Sequence, residues 1–364
     1  MKYFLIAGEK SGDQHAGRLV SSIRKLDAQA EIIAWGGASL ESAGAKVTQR
    51  YEEMAFMGLD FLFSLVKILG LFKKCKNEIS DFQPDVLILV DYGGFNLRIA
   101  KWAFTQKIET QYFIPPKTWA WNESRNEKIK KFISKAYVIL PFEEGYLQSK
   151  GVDATYVGNP TKEAIDALNL EEKKREGVAF LPGSRVGEIK RIGPLLVRIA
   201  NAFPLKQFTV AALKEIPAIH YNELNGVSNV KLEWDKTYEI LQKSEAAVVT
   251  SGTATLETAL FSTPQVVVYK AAPLFYAIGK LLVKVKFISL VNLISNKEVV
   301  KEFIQDNYDF CELEKELKLL LNDTNFRENQ LIAYQEIKEK LTDKIASNEA
   351  AKLIYQKLRK ENED

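Results

Sequence analysis

Short apolar runs of strand length alternate with longer amphipathic stretches through most of the chain. That alternation points to one fold class, α/β, with parallel sheets covered by helices. A first series places strands at Tyr3–Ala7, Glu31–Ala34, Asp85–Val90, Gln111–Ile114 and Ala136–Leu140, with helices over Gly12–Leu26, Phe61–Ser80, Leu97–Thr105 and Glu123–Phe132. The pattern breaks at Val157-Gly158-Asn159-Pro160, and a charged run, Glu171 to Glu176, follows. A second series then places strands at Gly177–Leu181, Gln207–Ala211, Val230–Leu232, Ala246–Val249 and Gln265–Tyr269. The expected organisation is two doubly wound, Rossmann-like domains, residues 1–165 and 166–340. A C-terminal helix over 341–364 is free to pack back on the first domain. Ligands of such sheets bind beyond the carboxyl ends of the strands, so functional residues are expected in the turns after strands, on the walls of an interdomain cleft.

Length and composition fit this plan. At 364 residues the chain is longer than most single domains, and 46% hydrophobic with 27% charged residues is ordinary globular usage. The formal charge of +3 does not call for nucleic acid; a phosphorylated ligand or an anionic membrane surface suits it as well. Cys75 and Cys311 are too far apart in sequence for a metal knuckle or a redox pair, which points to a reducing cytoplasm. The N-terminal apolar run ends at Gly8 and is too short for a signal-peptide core. Ala55–Phe72 and Ala271–Ile294 are interrupted by charges, so neither spans a bilayer comfortably, although both could lie on one.

Two turns of the second domain suit a diphosphate. Leu181-Pro182-Gly183-Ser184-Arg185 leaves a strand for a helix: Gly183 and Ser184 are expected to bring backbone N–H groups to a phosphate, and Arg185 offers a fork of donors. The alternative is a structural turn with a solvated arginine. Thr250-Ser251-Gly252-Thr253-Ala254-Thr255-Leu256-Glu257 repeats the arrangement. Ser251, Gly252 and Thr253 are expected to meet a pyrophosphate, and Glu257, on the face of Thr253, the ribose hydroxyls. Its alternative is a helix cap with Glu257 serving the helix dipole.

In the first domain, Ala7-Gly8-Glu9-Lys10-Ser11-Gly12-Asp13 lacks dinucleotide spacing. Glu9 and Ser11 there suit sugar hydroxyls, and His15 is a minor catalytic candidate. Asp91, after the most apolar strand, is a candidate general base, with Asn96 either at substrate or capping the next helix. Trp119 and Trp121 can stack on sugars, with Arg125 and Lys128 nearby for phosphate, or can simply be core. No Asp-x-Asp and no His/Cys cluster with ligand spacing occurs, so neither a metal nor another cofactor is expected; a diphosphate would be neutralised by Arg, Lys and helix N-termini.

These segments, in this order, resemble the lipid-A-disaccharide synthase family along most of the chain. The carriers are Ala7–Asp13, Trp35-Gly36-Gly37, Met57-Gly58, Asp91 with Phe95-Asn96, and Pro116–Trp121. They continue with Leu140–Glu143, Leu181–Arg185 with Glu188-Ile189, Ser251–Glu257 and Tyr269-Lys270. The resemblance implies a GT-B fold and an inverting transfer of 2,3-diacylglucosamine from UDP to the 6-hydroxyl of 2,3-diacylglucosamine 1-phosphate, giving a β-1′,6 disaccharide. It also implies peripheral association with the bacterial inner membrane. By matching motif, Asp91 is the base candidate, Arg185 contacts phosphate, and Ser251, Gly252, Thr253 and Glu257 bind the UDP part. Two positions depart from the family's pattern: Gly93 stands where a proline is frequent, and Gly158-Asn159-Pro160 stands where many members read Gly-His-Pro.

The run Phe56–Phe72 covers nearly every face of a helix, which suits either a core or, with Lys67, Lys73, Lys74 and Lys76, an acyl chain or membrane. Two rival functions share these features. An epimerase of nucleotide sugars would keep the fold, and a non-catalytic lipid-binding protein would leave the anion turns unexplained.

Overall fold

The computed structural model describes residues 1–54, 61–168, 174–273, 276, 279, 285–305 and 308–363; the side chains of 61–67 and 361–363 lie outside the description. The run Phe56–Phe72 therefore falls largely outside the described residues. Of its last part, Phe72 stacks on Phe95 at 4.4 Å between centroids, while Leu69 is exposed. Much of Ala271–Ile294 likewise lies outside them. Among the described residues no helix is long and apolar enough to cross a membrane.

The chain divides into two compact units, Met1–Glu163 with Thr342–Asp364, and Ala164–Leu341. The first holds a seven-stranded sheet in the order β3-β2-β1-β4-β5-β6-β7. Its strands are β1 (Lys2–Ala7), β2 (Glu31–Gly36), β3 (Lys46–Arg50), β4 (Val86–Val90), β5 (Thr110–Phe113), β6 (Lys135–Val138) and β7 (Ala154–Tyr156), and every pairing is parallel. The period-2 alternation of β1 sorts its side chains onto both faces. Tyr3, Leu5 and Ala7 join the cluster under helix α1 (Lys10–Leu26), and Phe4 and Ile6 join the one containing Trp35, Cys75, Ile79 and Phe95. All five residues of β4 are buried, as a central strand covered on both faces requires.

The second unit repeats the plan with β8 (Val178–Leu181), β9 (Phe208–Ala212), β10 (Val230–Trp234), β11 (Ala246–Thr250), β12 (Gln265–Tyr269) and β13 (Glu302–Ile304), ordered β10-β9-β8-β11-β12-β13. In each unit the strand order reverses between the first and fourth strands, β1/β4 and β8/β11. That reversal opens a crevice at the carboxyl ends of those strands. The turns after Ala7, Val90, Leu181 and Thr250 are the ones the sequence singled out.

Three strands carry no clear sequence signal: β3, β7 and β13. Each is an edge strand, short and only partly buried, so the apolar run that marks a central strand is missing.

The C-terminal helix, Ala346–Glu363, belongs to the first unit. Its Ala346, Ala350, Ala351, Ile354 and Leu358 complete the core beneath α1, and Ser22 Oγ donates to Asn348 Oδ1 at 2.8 Å. Glu163 accepts the Ala346 N–H at 3.1 Å, and Lys162 pairs with Asp343 at 2.7 Å. Gly158, at φ +108°, allows this docking: a Cβ there would lie 2.3 Å from the Lys344 carbonyl oxygen.

Asn159 is 98% buried as the cap of the helix at Pro160–Asp166. Its Oδ1 accepts from the Thr161 and Lys162 N–H groups, and its Nδ2 donates to Ile139 O at 3.0 Å. The departure from Gly-His-Pro thus falls at a backbone-bridging position, where one acceptor and one donor suffice. Gly158→Ala is expected to cost about 2–4 kcal/mol through the positive φ and the carbonyl contact. Urea unfolding followed by circular dichroism reads this directly; an unchanged midpoint would show that the close approach is not a constraint.

Candidate active site

At the first crevice, Gly8 and Asp91 leave adjacent strands, with Ala7 paired to Val90. Asp91 and Tyr92 both have left-handed backbones, φ +48° and +50°. An aspartate tolerates this region, whereas for tyrosine it is an outlier that costs of order 1–3 kcal/mol. Buried hydrogen bonds hold the turn in place. Tyr112 Oη donates to the Asp91 carbonyl at 2.6 Å, and Asn96 Nδ2 donates to the same oxygen at 2.7 Å. The Tyr92 ring lies against Gly8, where a Cβ would come within 2.2 Å of it, and Tyr92 Oη donates to Met54 O at 3.3 Å.

Burial pushes the Asp91 carboxyl above the ordinary range, with the Tyr92 N–H at 2.9 Å and the Lys117 charge opposing. A carboxylate made more basic in this way suits proton abstraction. His15 projects from the α1 face that carries Gly12, where a Cβ would sit 3.8 Å from Asp91 Cβ. Burial, Arg18 and Lys117 push His15 down to about 4, so its imidazole is neutral at physiological pH. Its Nδ1 is buried without a partner among the described residues.

Two polar side chains of these motifs bond within the fold. Asn96 is completely buried and its Nδ2 donates to the main-chain carbonyls of Ile6, Val90 and Asp91, so it positions the Asp91 peptide; it lies within the helix rather than capping it, and its Oδ1 is buried without a partner among the described residues. Asp13, within the same Gly-rich motif as Glu9 and Ser11, accepts the N–H groups of Gly37, Ser39 and Leu40. The Ala7–Asp13 and Trp35-Gly36-Gly37 motifs are therefore parts of one packing unit, while Glu9 and Ser11 remain on the surface.

Trp119 is partly exposed and anchored by its indole N–H to Glu143 Oε1 at 2.8 Å. Glu143 also accepts the Leu140 and Ile139 N–H groups, and burial raises its carboxyl. Gly93 is explained by Pro116, whose Cγ would lie 2.4 Å from a Cβ at that position.

At the second crevice the turn after β8 differs from expectation. The Ser184 and Arg185 N–H groups are taken by Glu188 Oε2 at 2.9 and 3.3 Å, and the Arg185 guanidinium pairs with Oε1 at 3.4 Å. A glutamate at the third helical position satisfies the orphan donors of a helix start, so a phosphate must displace it. Gly183 keeps room for it at φ +105°, since a Cβ would clash with Glu188. The Arg185-x-x-Glu188 spacing was the available signal.

In the turn after β11, Ser251 is also committed. Its N–H goes to Val268 O at 3.1 Å and its Oγ to Ile288 O at 2.9 Å. Gly252, at φ +154° and ψ −159°, holds a conformation open essentially only to glycine, and a Cβ there would meet nothing within 4 Å. Thr253 begins the helix Thr253–Leu260, whose first N–H groups have no carbonyl within the helix. Glu257 lies one turn on. Burial raises its carboxyl, opposed by Tyr238 Oη, which donates to it at 3.1 Å. Tyr238 had no sequence signal.

Among the described residues no three His, Cys, Asp or Glu side chains form a metal cluster. A groove lined by Lys135, Asp153 and Lys357 touches the amino end of β6, the opposite end of the sheet from Asp91.

The sequence model of the family described as lipid-A-disaccharide synthetase matches residues 3–357. The chain belongs to the lipid-A-disaccharide synthase family. Lipid-A-disaccharide synthases of Myxococcus xanthus and Nitrosococcus oceani are 32% and 35% identical to it, covering 98% and 93% of this chain and 97% and 91% of their own. Its class is that of a hexosyltransferase forming the lipid A disaccharide, and the epimerase reading is not favoured.

The fold is shared more widely. A UDP-GlcNAc 2-epimerase from Neisseria meningitidis, bound to UDP-GlcNAc, aligns with TM-score 0.61 at 14% identity over 99% of this chain and 100% of its own. A putative UDP-N-acetylglucosamine 2-epimerase from Listeria monocytogenes aligns with TM-score 0.66 at 13% identity, over 95% and 93%. At such identities the likeness carries the GT-B architecture alone.

Two outcomes follow from this geometry. Gly8→Ala should displace the Tyr92 ring and lower kcat about 10- to 100-fold while the protein stays folded; normal turnover would detach Tyr92 from catalysis. Lys117→Met removes a charge that favours ionised Asp91, so the acidic limb of the kcat/KM–pH profile should move to higher pH. An unmoved limb would separate that limb from Asp91.

Proposed function

We propose that the chain transfers 2,3-diacylglucosamine from UDP to the 6-hydroxyl of 2,3-diacylglucosamine 1-phosphate, forming the β-1′,6 disaccharide and UDP. The observation that carries this reading is Asp91, burial-raised and fixed at a switch point in a strained turn. In the proposed step the acceptor 6-oxygen attacks the anomeric carbon as Asp91 takes its proton, and the bond to UDP breaks with inversion. The UDP diphosphate would be met by the Arg185 side chain and the N–H groups at Gly252 and Thr253. Glu257, with Tyr238 on one oxygen, would accept the ribose hydroxyls. Glu9, Ser11 and Trp119 are proposed to meet sugar; Gly183, Ser184 and Ser251 shape the turns rather than donate to phosphate.

No step requires a metal or other cofactor. The acylated substrates support a peripheral position on the cytoplasmic face of the inner membrane, with the helix Phe61–Phe82 and its exposed Leu69 and Lys73 toward lipid.

Mass spectrometry of products from UDP-diacylglucosamine plus diacylglucosamine 1-phosphate tests the reaction: a disaccharide and UDP are expected, whereas an isomerised UDP-sugar formed without acceptor would replace this reading with epimerisation. Asp91→Asn should lower kcat by about 10²- to 10⁴-fold with UDP affinity unchanged; near-normal turnover would rule Asp91 out as base. Glu257→Ala should weaken UDP binding in calorimetry about tenfold, and equal affinity would remove its ribose role.

A further inference from the structure

Beside Asp91 the first unit carries two cationic side chains, and the charge of one of them, Lys117, acts on the Asp91 and Glu143 carboxyls without bonding to either. Lys117 is exposed and Arg125 half-exposed, and neither side chain makes a hydrogen bond or ion pair among the described residues. Arg50 pairs with Glu41, Arg175 with three oxygens and Arg185 with Glu188, whereas Arg98 and Arg198, like Arg125, lie over aromatic rings. Arg125 lies over the Trp121 ring, 4.7 Å from guanidinium carbon to centroid, and Trp121 is itself 48% exposed. Its Nη1 is 3.4 Å from where a Cβ on Gly93 would stand, over the first turn of the helix Gly93–Thr105. That helix start has no side-chain cap, and the space beside Gly94 is open. Lys117 follows Pro116, which packs on the same Gly93.

A neutral hydroxyl needs only a base. A cation at an uncapped helix start, with a second following the proline that packs on that start, suits an anion, and a guanidinium held on an indole keeps its planar fork for a tetrahedral oxyanion. We infer that Lys117 and Arg125 form the subsite for a phosphate monoester carried by the acceptor, setting the acceptor's register against Asp91 and selecting a phosphorylated over an unphosphorylated sugar. This rests on the transfer reaction proposed above.

The test compares Arg125→Ala, Arg125→Lys and Lys117→Met with the unaltered protein, on the acceptor with and without its phosphate. Acceptor KM should rise about 10- to 100-fold in Arg125→Ala, with partial recovery in Arg125→Lys and donor KM unchanged. On the dephosphorylated acceptor, already poor, the two Arg125 variants should lose nothing further. An unchanged acceptor KM, equal loss on both acceptors, or a rise in donor KM instead would overturn the subsite.

Binding of glucosamine 1-phosphate, followed by phosphorus NMR line broadening, separates this from the reaction itself. Loss of that binding in the Lys117→Met/Arg125→Ala double variant, with UDP binding kept, supports the subsite even if the unaltered protein forms no disaccharide. Undiminished binding overturns it even if the disaccharide is formed.

Discussion

The Asp91 carbonyl, fixed by Tyr112 from β5 and Asn96 from the following helix, is the interaction on which the first crevice depends. It holds two consecutive non-glycine residues in left-handed backbone at the end of the most deeply buried strand. Strain of this kind persists only when the surroundings over-determine it. Here they do: the Tyr92 ring can lie down only because residue 8 lacks a Cβ, and Pro116 can close over the turn only because residue 93 lacks one. A carboxylate results whose position is set by the core and whose basicity is raised by burial.

The two units use the same strand order but treat their crevices differently. In the first, Lys117 and Arg125 make no side-chain hydrogen bond or ion pair among the described residues near a raised carboxylate. In the second, the Ser184 and Arg185 N–H groups are already satisfied by Glu188, and the Ser251 donors by main-chain carbonyls. These donors are thus satisfied within the fold before any ligand arrives. A diphosphate arriving there competes with a carboxylate for one turn and finds the other open at Gly252.

The central strands and the helices between them were legible because their signal is local. β1, β4, β8 and β11 are apolar runs bounded by glycine or polar turns, and such runs need both faces covered wherever they fall. The edge strands β3, β7 and β13 were not, since they are short and mix polar with apolar residues. The motif positions were legible as well, because a ligand turn after a strand needs small residues at fixed offsets. Their partners were not. Asn96 reads equally well as a cap, a ligand or a core residue until Ile6, 90 positions away, presents its carbonyl.

By itself, the sequence determined an α/β chain of two doubly wound series with Asp91 and Thr250–Glu257 at strand ends, and its ordered motifs placed it within one family. Only the tertiary structure decided which polar groups remain available. Asn96, Asp13, Ser251 and the Ser184 N–H are spent inside the fold, whereas Lys117 and Arg125 are left over. The reason is physical: a buried hydrogen bond is settled by whichever donor and acceptor the packing brings within about 3 Å. Those partners come from strands and helices whose neighbours in space are not their neighbours in sequence.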